Sequence, residues 1–394
     1  MKTLNVIQQI NELKQILSYS KKIGFFFGAG TSCAFGLPNV YTLTDETKKR
    51  LTGEEKQIFD EAEKATKDLA EDDNVTVEDI LNYIRQIKAI TKSKGEYKYN
   101  NISGLEAKNL DIQICKHIYD IIKEKEEKVD LRDIRKFFAW YESTSRSFIK
   151  EIYTTNYDML FEKGMEANFI PYFDGFVGSY QPFFSPESID NFPGANDSTN
   201  NWIRLWKIHG SLNWIVEKDE SSNTKRIIRS CKFESTQNEL MVYPSRDKYN
   251  LSRREPYIAY FDRLKKYLIK GELLFLISGY SFSDQHINEV LFDALRQNSR
   301  LYLVVFCFND AQVEMMEQYA PSHMNLCVLG PKKGIINGRL SSWMYKENED
   351  ELDTSSYWDE NNDELLLGDF PQLINFLIDN SGNRSIIEEV VNGK

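Results

Sequence analysis

His209 stands at the end of a short apolar run, Leu205 to Ile208, and is followed by Gly210; it is one of only four histidines in the chain. An imidazole suits proton transfer near neutral pH, and the glycine beside it leaves room for a substrate. A structural histidine held in a turn is the other reading. Asn156 and Asp158 follow a second apolar run, Phe148 to Tyr153. An asparagine can donate to and accept from a sugar hydroxyl or a water, and an aspartate can orient it or accept from a ribose; the same pair can simply cap a turn. Gly28, Ala29, Gly30, Thr31 and Ser32 follow a third run. Glycines let a backbone approach a phosphate, and the two hydroxyls add donors. A plain tight turn is the alternative, since neither a GK[ST] ending nor the GxGxxG spacing is present. Gly279, Ser281 and Ser283 form a second glycine and hydroxyl turn ahead of a helix, suited to the other half of a dinucleotide, with Ser283 also a candidate N-cap. Asn309, after the last long apolar run, fits an adenosine ribose or an ordinary turn.

The remaining histidines point elsewhere: His117 to packing or surface, His286 to a cleft lining, His323 to a loop. No histidine or cysteine pair has metal-ligand spacing, so no metal is expected.

These residues need elements to carry them. Residues 4–17 have helical apolar spacing, with the helix ending near Ser18–Ser20. Ile23 to Phe27 reads as a buried strand. Helices are expected over 54–70, 77–92, 105–125 and 130–143, the second capped by Thr76. Strands follow at Phe148 to Tyr153, Leu205 to Ile208, Leu273 to Ser278, Leu301 to Phe308 and Asn325 to Leu329, with a polar hairpin or loop over 217–230. Strands alternating with helices predict an α/β fold, a doubly wound Rossmann-like parallel sheet, with an inserted α-helical module at about 52–146. Every unusual motif follows an apolar strand, where such folds bind ligands. The expected organisation is a catalytic domain over 1–330 and an acidic C-terminal extension over 331–394, its stretch Glu347 to Glu364 a loop or partner surface.

Composition narrows the class. Sixty acids against 49 bases give a net charge of −11 over 394 residues, which disfavours direct binding to nucleic acid. No apolar stretch is long enough for a membrane span, and the N-terminus lacks a secretory h-region. Five widely spaced cysteines fit free thiols in a reducing cytoplasm and leave no zinc ribbon.

The ordered set resembles the sirtuin-like family: Gly28 to Ser32 with Gly36, Leu37 and Pro38; Thr155, Asn156 and Asp158; Lys207 to Trp214; Tyr243 and Pro244; and Ser278 to Asp284. More narrowly it is similar to the prokaryotic sirtuin-like NAD hydrolases of antiphage defence. Deacylase-type sirtuins carry a four-cysteine zinc module and an aspartate-phenylalanine-arginine segment after the proline; this chain lacks the first and has Asn39, Val40 and Tyr41 at the second. The resemblance therefore implies cleavage of NAD itself to nicotinamide and ADP-ribose, with protein deacylation or non-catalytic sensing of NAD or ADP-ribose as alternatives. It implies that Gly28 to Ser32 cradle the diphosphate and Pro38 borders the nicotinamide. Asn156 would position the ribose or water with support from Asp158, His209 would be the general base, and Gly279, Ser281 and Ser283 would face the adenosine. It also implies control by homo-oligomerisation or by a partner, a HerA-type ATPase first among them.

Overall fold

Leu273–Ser278 is buried at all six positions and Ile23–Phe27 at all five, as befits strands covered on both faces. In the structure, a computed structural model, they are neighbours at the centre of a ten-stranded sheet. The described residues are 2–71, 73–144, 148–190, 202–219, 224–230, 239–242, 255–346, 355–381 and 384–392. Tyr243, Pro244, Cys231 and residues 347–354 of the acidic stretch lie outside them.

Across the sheet the order is Lys2–Asn5, Arg339–Met344, Lys333–Ile336, Leu326–Leu329, Leu301–Phe306, Leu273–Ser278, Ile23–Phe27, Glu151–Thr154, Ile203–Lys207 and Tyr172–Phe173. From Leu326–Leu329 to Tyr172–Phe173 every neighbouring pair is parallel. The chain winds from Ile23–Phe27 outward to Glu151–Thr154 and Ile203–Lys207. It then starts again at Leu273–Ser278 and winds the other way. The fold is thus α/β, doubly wound and Rossmann-like, and its winding reverses between Ile23–Phe27 and Leu273–Ser278, the switch point where such sheets open a crevice.

Alternate side chains serve two separate cores. Phe25 and Phe27 face one layer, where Phe25 meets Phe137 and Tyr141 edge-on and Phe27 meets Phe161. Phe26 faces the other layer and packs on Tyr280. The first layer holds the expected helices, observed as Gly53–Ala70, Val77–Ile90, Gly104–Glu126 and Arg132–Ser143. Thr76 does cap Val77–Ile90, in a capping box with Asp79. Arg132–Ser143 lies on the sheet itself, since the Tyr141 hydroxyl donates to the Ile23 carbonyl at 2.9 Å. The expected hairpin over 217–230 is formed by Gly210–Asp219 and Thr224–Arg229.

Two expectations change. Leu4 is not helical: it sits in the strand Lys2–Asn5, parallel to Arg339–Met344, and Asn5 caps the helix Val6–Tyr19. The segment after 330 is not set apart from the sheet. Lys333–Ile336 and Arg339–Met344 pair antiparallel around Asn337 and Gly338, both at positive φ, the signature of a two-residue hairpin. Helix Phe370–Asp379 then covers the first layer, with Phe370 on Phe27. No helix of the described residues is long and apolar enough to cross a membrane.

A prediction follows from the switch point. Gly279 has φ +66°, and a Cβ there would lie 2.4 Å from the Thr31 nitrogen; Gly271 has φ +76° with nothing within 4 Å. Gly279→Ala should lower the unfolding free energy by at least about 2 kcal/mol, and Gly271→Ala by only about 1 kcal/mol. Urea titrations of the two variants check the difference.

Candidate functional site

The two glycine turns cross at the switch point. The Gly28 N–H donates to the Ser278 carbonyl at 3.0 Å, and the Gly30 N–H to the Gly279 carbonyl at 2.8 Å. A Cβ on Gly28 would stand 2.4 Å from the Gly279 oxygen. Contact this close excludes any side chain, which explains why these residues are glycines.

Asn156 is held beside this crossing. Its backbone N–H donates to Thr154 Oγ1 at 2.9 Å. Its Nδ2 donates to Thr31 Oγ1 at 3.0 Å and to Ser32 Oγ at 2.9 Å. The Thr31 hydroxyl donates to the Gly28 carbonyl and the Ser32 hydroxyl donates to Asp158 Oδ2 at 2.6 Å. Both hydroxyl protons are therefore committed, and both oxygens must accept from Asn156. That fixes which way round the amide sits, and its buried Oδ1 has no hydrogen-bond partner among the described residues. Asp158 supports Asn156 through Ser32 rather than directly, and its Oδ1 accepts from the Leu160 N–H.

Beneath Asp158 lies a buried ion pair. Lys207 Nζ donates to the Asp158 carbonyl at 2.5 Å and to Glu162 Oε1 at 2.8 Å. Burial pushes the Glu162 carboxyl up from its ordinary value, while Lys207 draws it down. Removing Lys207 would leave a buried carboxylate uncompensated, a loss of about 3–5 kcal/mol for pairs of this kind.

His209 follows Ile203–Lys207 and is placed by the Ile208 N–H on the Thr154 carbonyl, 2.8 Å. Its Nε2 is 3.0 Å from Asp284 Oδ2. Asp284 is 2% exposed and caps the helix Gln285–Gln297. The expected capping role of Ser283 is thus corrected: Asp284 caps, and Ser283 shares a hydrogen bond with Ser281 at 2.9 Å.

A single cavity of about 730 Å³ lies over these residues, within the roughly 300–1,000 Å³ of small-molecule sites. Of the residues singled out from the sequence, Ala29, Gly30, Ser32 and Pro38 line it, as do Gly279, Ser281, Ser283 and Asn309. Asn156, Asp158 and His209 also line it. Gly28 and Thr31 stand behind the lining as supports. Asn309 lends its side-chain oxygen to the Gln312 N–H as a helix cap. His286 does not face this cavity; it lines a shallower hollow between Tyr257–Ile269 and Gln285–Gln297. His323 is a loop residue as expected, and it is buried, with Nε2 at 3.2 Å from the Phe292 carbonyl.

Other lining residues escaped the sequence reading. Asp284 ends the second glycine motif just before a helix, and that position is itself a capping signal. Glu78 comes from the capped helix start at Thr76. Gly368, Asp369 and Phe370 arrive from the C-terminal segment; Asp369 followed by Phe370 and Pro371 marks a helix start, yet nothing local ties it to the cavity. Glu78, Asp158, Asp284 and Asp369 give the lining an acidic character, and among the described residues no lysine or arginine lines it. No described group of three or more histidine, cysteine, aspartate or glutamate side chains is placed to hold a metal ion.

Residues 150–326 match the SIR2-like domain family. That stretch contains Asn156, Asp158, His209 and the Gly279 turn; the Gly28 turn lies outside it and is joined to it by the fold. No curated protein matches the chain. Among solved structures, a SIR2 homolog in complex with NAD is similar at 12% identity and TM-score 0.36, over 75% of this chain and 81% of its own. A structure on the basis of sirtuin substrate affinity is similar at 11% identity and TM-score 0.33, over 75% of this chain and 85% of its own.

Cys33 offers a probe of the cavity it lines. Burial, and then the Asp158 charge, push its thiol up from the ordinary value. Cys115, Cys307 and Cys327 are buried and pushed up to about 12. Since the thiolate is the reactive form, alkylation of Cys33 in a Cys231→Ser background should still be accelerating above about pH 10, where an ordinary thiol with a pKa of about 8.5 has levelled off. Mass spectrometry of iodoacetamide time courses reads this directly, and a plateau by about pH 10 would contradict it.

Proposed function

We propose that this chain is a sirtuin-like NAD hydrolase, cleaving the bond from nicotinamide to ribose C1′ to release nicotinamide and ADP-ribose. The observation that carries the reading is the gathering of Asn156, Asp158 and His209 into one cavity with the two crossed glycine turns. The SIR2-like match over 150–326 supports it.

The residues fit such a substrate. The side-chain-free crossing lets backbone approach a diphosphate, and Ser281 and Ser283 add hydroxyl donors. The unpartnered Oδ1 of Asn156 is an acceptor for a ribose hydroxyl or a water. The acidic lining suits the cationic pyridinium end of the molecule.

The chemistry asks little of the protein. The leaving group already carries positive charge, so no strong acid is needed, and the transition state is oxocarbenium-like. Asn156 holds the water or ribose in place. His209 takes the proton from the attacking water as the water oxygen bonds to C1′. The electron pair of the breaking bond leaves with nicotinamide, which departs neutral. A positioned base contributes about 10²–10⁴-fold.

NAD depletion in antiphage defence, assembly of copies and a HerA-type ATPase partner complete the proposal, supported by the resemblance and by the need to restrain an activity that destroys an essential metabolite. Exposed apolar side chains in the inserted segment, Ile90, Tyr97, Tyr99 and Leu105, provide material for such contacts.

Two outcomes are expected. His209→Ala and Asn156→Ala should each reduce nicotinamide release at least 100-fold, measured by chromatography of the products with and without the partner ATPase, while circular dichroism stays unchanged; full hydrolysis by either variant refutes the assignment. Mass photometry should find the active form to contain more than one copy, and a fully active isolated monomer refutes control by assembly.

A further inference from the structure

Asp284 has two oxygens in two different uses. Oδ1 accepts from the backbone N–H groups of His286 and Ile287 at 3.0 and 3.4 Å, capping the 13-residue helix Gln285–Gln297. Oδ2 lies 3.0 Å from Nε2 of His209. Capping needs only the first, and serine or asparagine performs it about as well as aspartate. A serine stands one position earlier and is not used. The second oxygen therefore needs its own explanation. The reach is also long: His209 and Asp284 follow strands separated by two others, so their parent strands are three spacings apart, about 14 Å. The turn after Ile203–Lys207 must lean back over the sheet edge to make the contact.

Resting on the reading of His209 as the base of N-glycosidic cleavage, we propose that Asp284 is the positioning residue that fixes the His209 imidazole as its Nε2–H tautomer and thereby makes Nδ1 the nitrogen that takes the proton. An ionised carboxylate can only accept hydrogen bonds. Two backbone N–H donors at a helix start favour that ionised form. Nε2 must then donate, and a neutral imidazole has only one N–H, so the lone pair resides on Nδ1. In the reaction Nδ1 gains one proton from the attacking water. The imidazolium so formed rests against the Asp284 carboxylate, which stays ionised and stabilises it without taking a proton. Tyr280 lies against the same helix start, its hydroxyl donating to Asn288 Oδ1 at 3.0 Å and standing 3.2 Å from the Asp284 carbonyl.

The test uses Asp284→Asn in the full chain. Asparagine keeps the cap, with its carbonyl on the helix N–H groups and its NH2 turned to Nε2. Nε2 must then accept, and the ring proton moves to Nδ1. Long-range ¹H–¹⁵N spectra of the labelled protein without substrate read the tautomer, and His209→Ala identifies the signals among four histidines. The expected result is Nε2–H in the wild type and Nδ1–H in Asp284→Asn. Nδ1–H in the wild type, or an unchanged tautomer in the variant, overturns the proposal. In kinetics, Asp284→Asn should lower kcat for nicotinamide release on the order of 10²–10⁴-fold with KM little changed, and should add little to His209→Ala; a wild-type kcat overturns it as well. The expected tautomers in a wild-type protein that never releases nicotinamide would uphold the positioning role and sink the hydrolase reading instead.

Discussion

Two backbone turns lying in direct contact are the constraint on which the site depends. Gly28 and Gly30 donate to Ser278 and Gly279 across the gap where the sheet reverses its winding. The gap is narrower than a methyl group, since a Cβ on Gly30 would be 2.7 Å from the Gly279 Cα. Everything else in the cavity is measured from this crossing. Thr31 and Ser32 leave it on one side and orient Asn156; Tyr280 and Asp284 leave it on the other, and Asp284 reaches His209. Distant parts of the chain share one geometry because two hydrogen bonds and three missing side chains hold them in register.

The electrostatics are equally economical. The charged lining is acidic, so an anionic group must be held by backbone and hydroxyl dipoles, which act at short range and without a mobile counter-charge. Compensating cations are kept in the layers beneath. Lys207 neutralises Glu162 under Asp158, and Arg263 pairs with Glu151, which also accepts from Tyr153 and Trp206, at the opposite end of the strands. Lys22, stacked on Tyr267, is depressed to about 8 by burial in that same region. The fold thus separates the charges that hold the strands from those that face the cavity.

Much of this was legible in the residues. Continuous apolar runs located the central strands, and capping at Thr76 marked a helix start correctly. Motifs following strands pointed to one edge of the sheet, where the structure does bring Asn156, Asp158 and His209 together. The rest is of two kinds. Some features are carried by local signals: Asn337 and Gly338 form a hairpin turn of the strongest short-range type, and Asp284 sits at a capping position. Others have no local trace. Nothing in the order of residues says that Lys2–Asn5 pairs with Arg339–Met344, or that Phe370 packs on Phe27, because such contacts are decided by which layer remains uncovered after the rest has folded. Leu4 shows the ambiguity: its apolar character fits the helix and the strand equally.

The wall formed by Gly368, Asp369 and Phe370 bears on the timing of synthesis. Elongation at roughly 5–20 residues per second separates Gly28 from Asp369 by tens of seconds. During that interval a nascent chain already carries the first glycine turn, Asn156 and His209, but the space above them is open to water on the side that Phe370 will close. A chain released early is left with the same breach. Competence to enclose a ligand on that side therefore arrives only once residues 368–370 have been made, long after the first glycine turn.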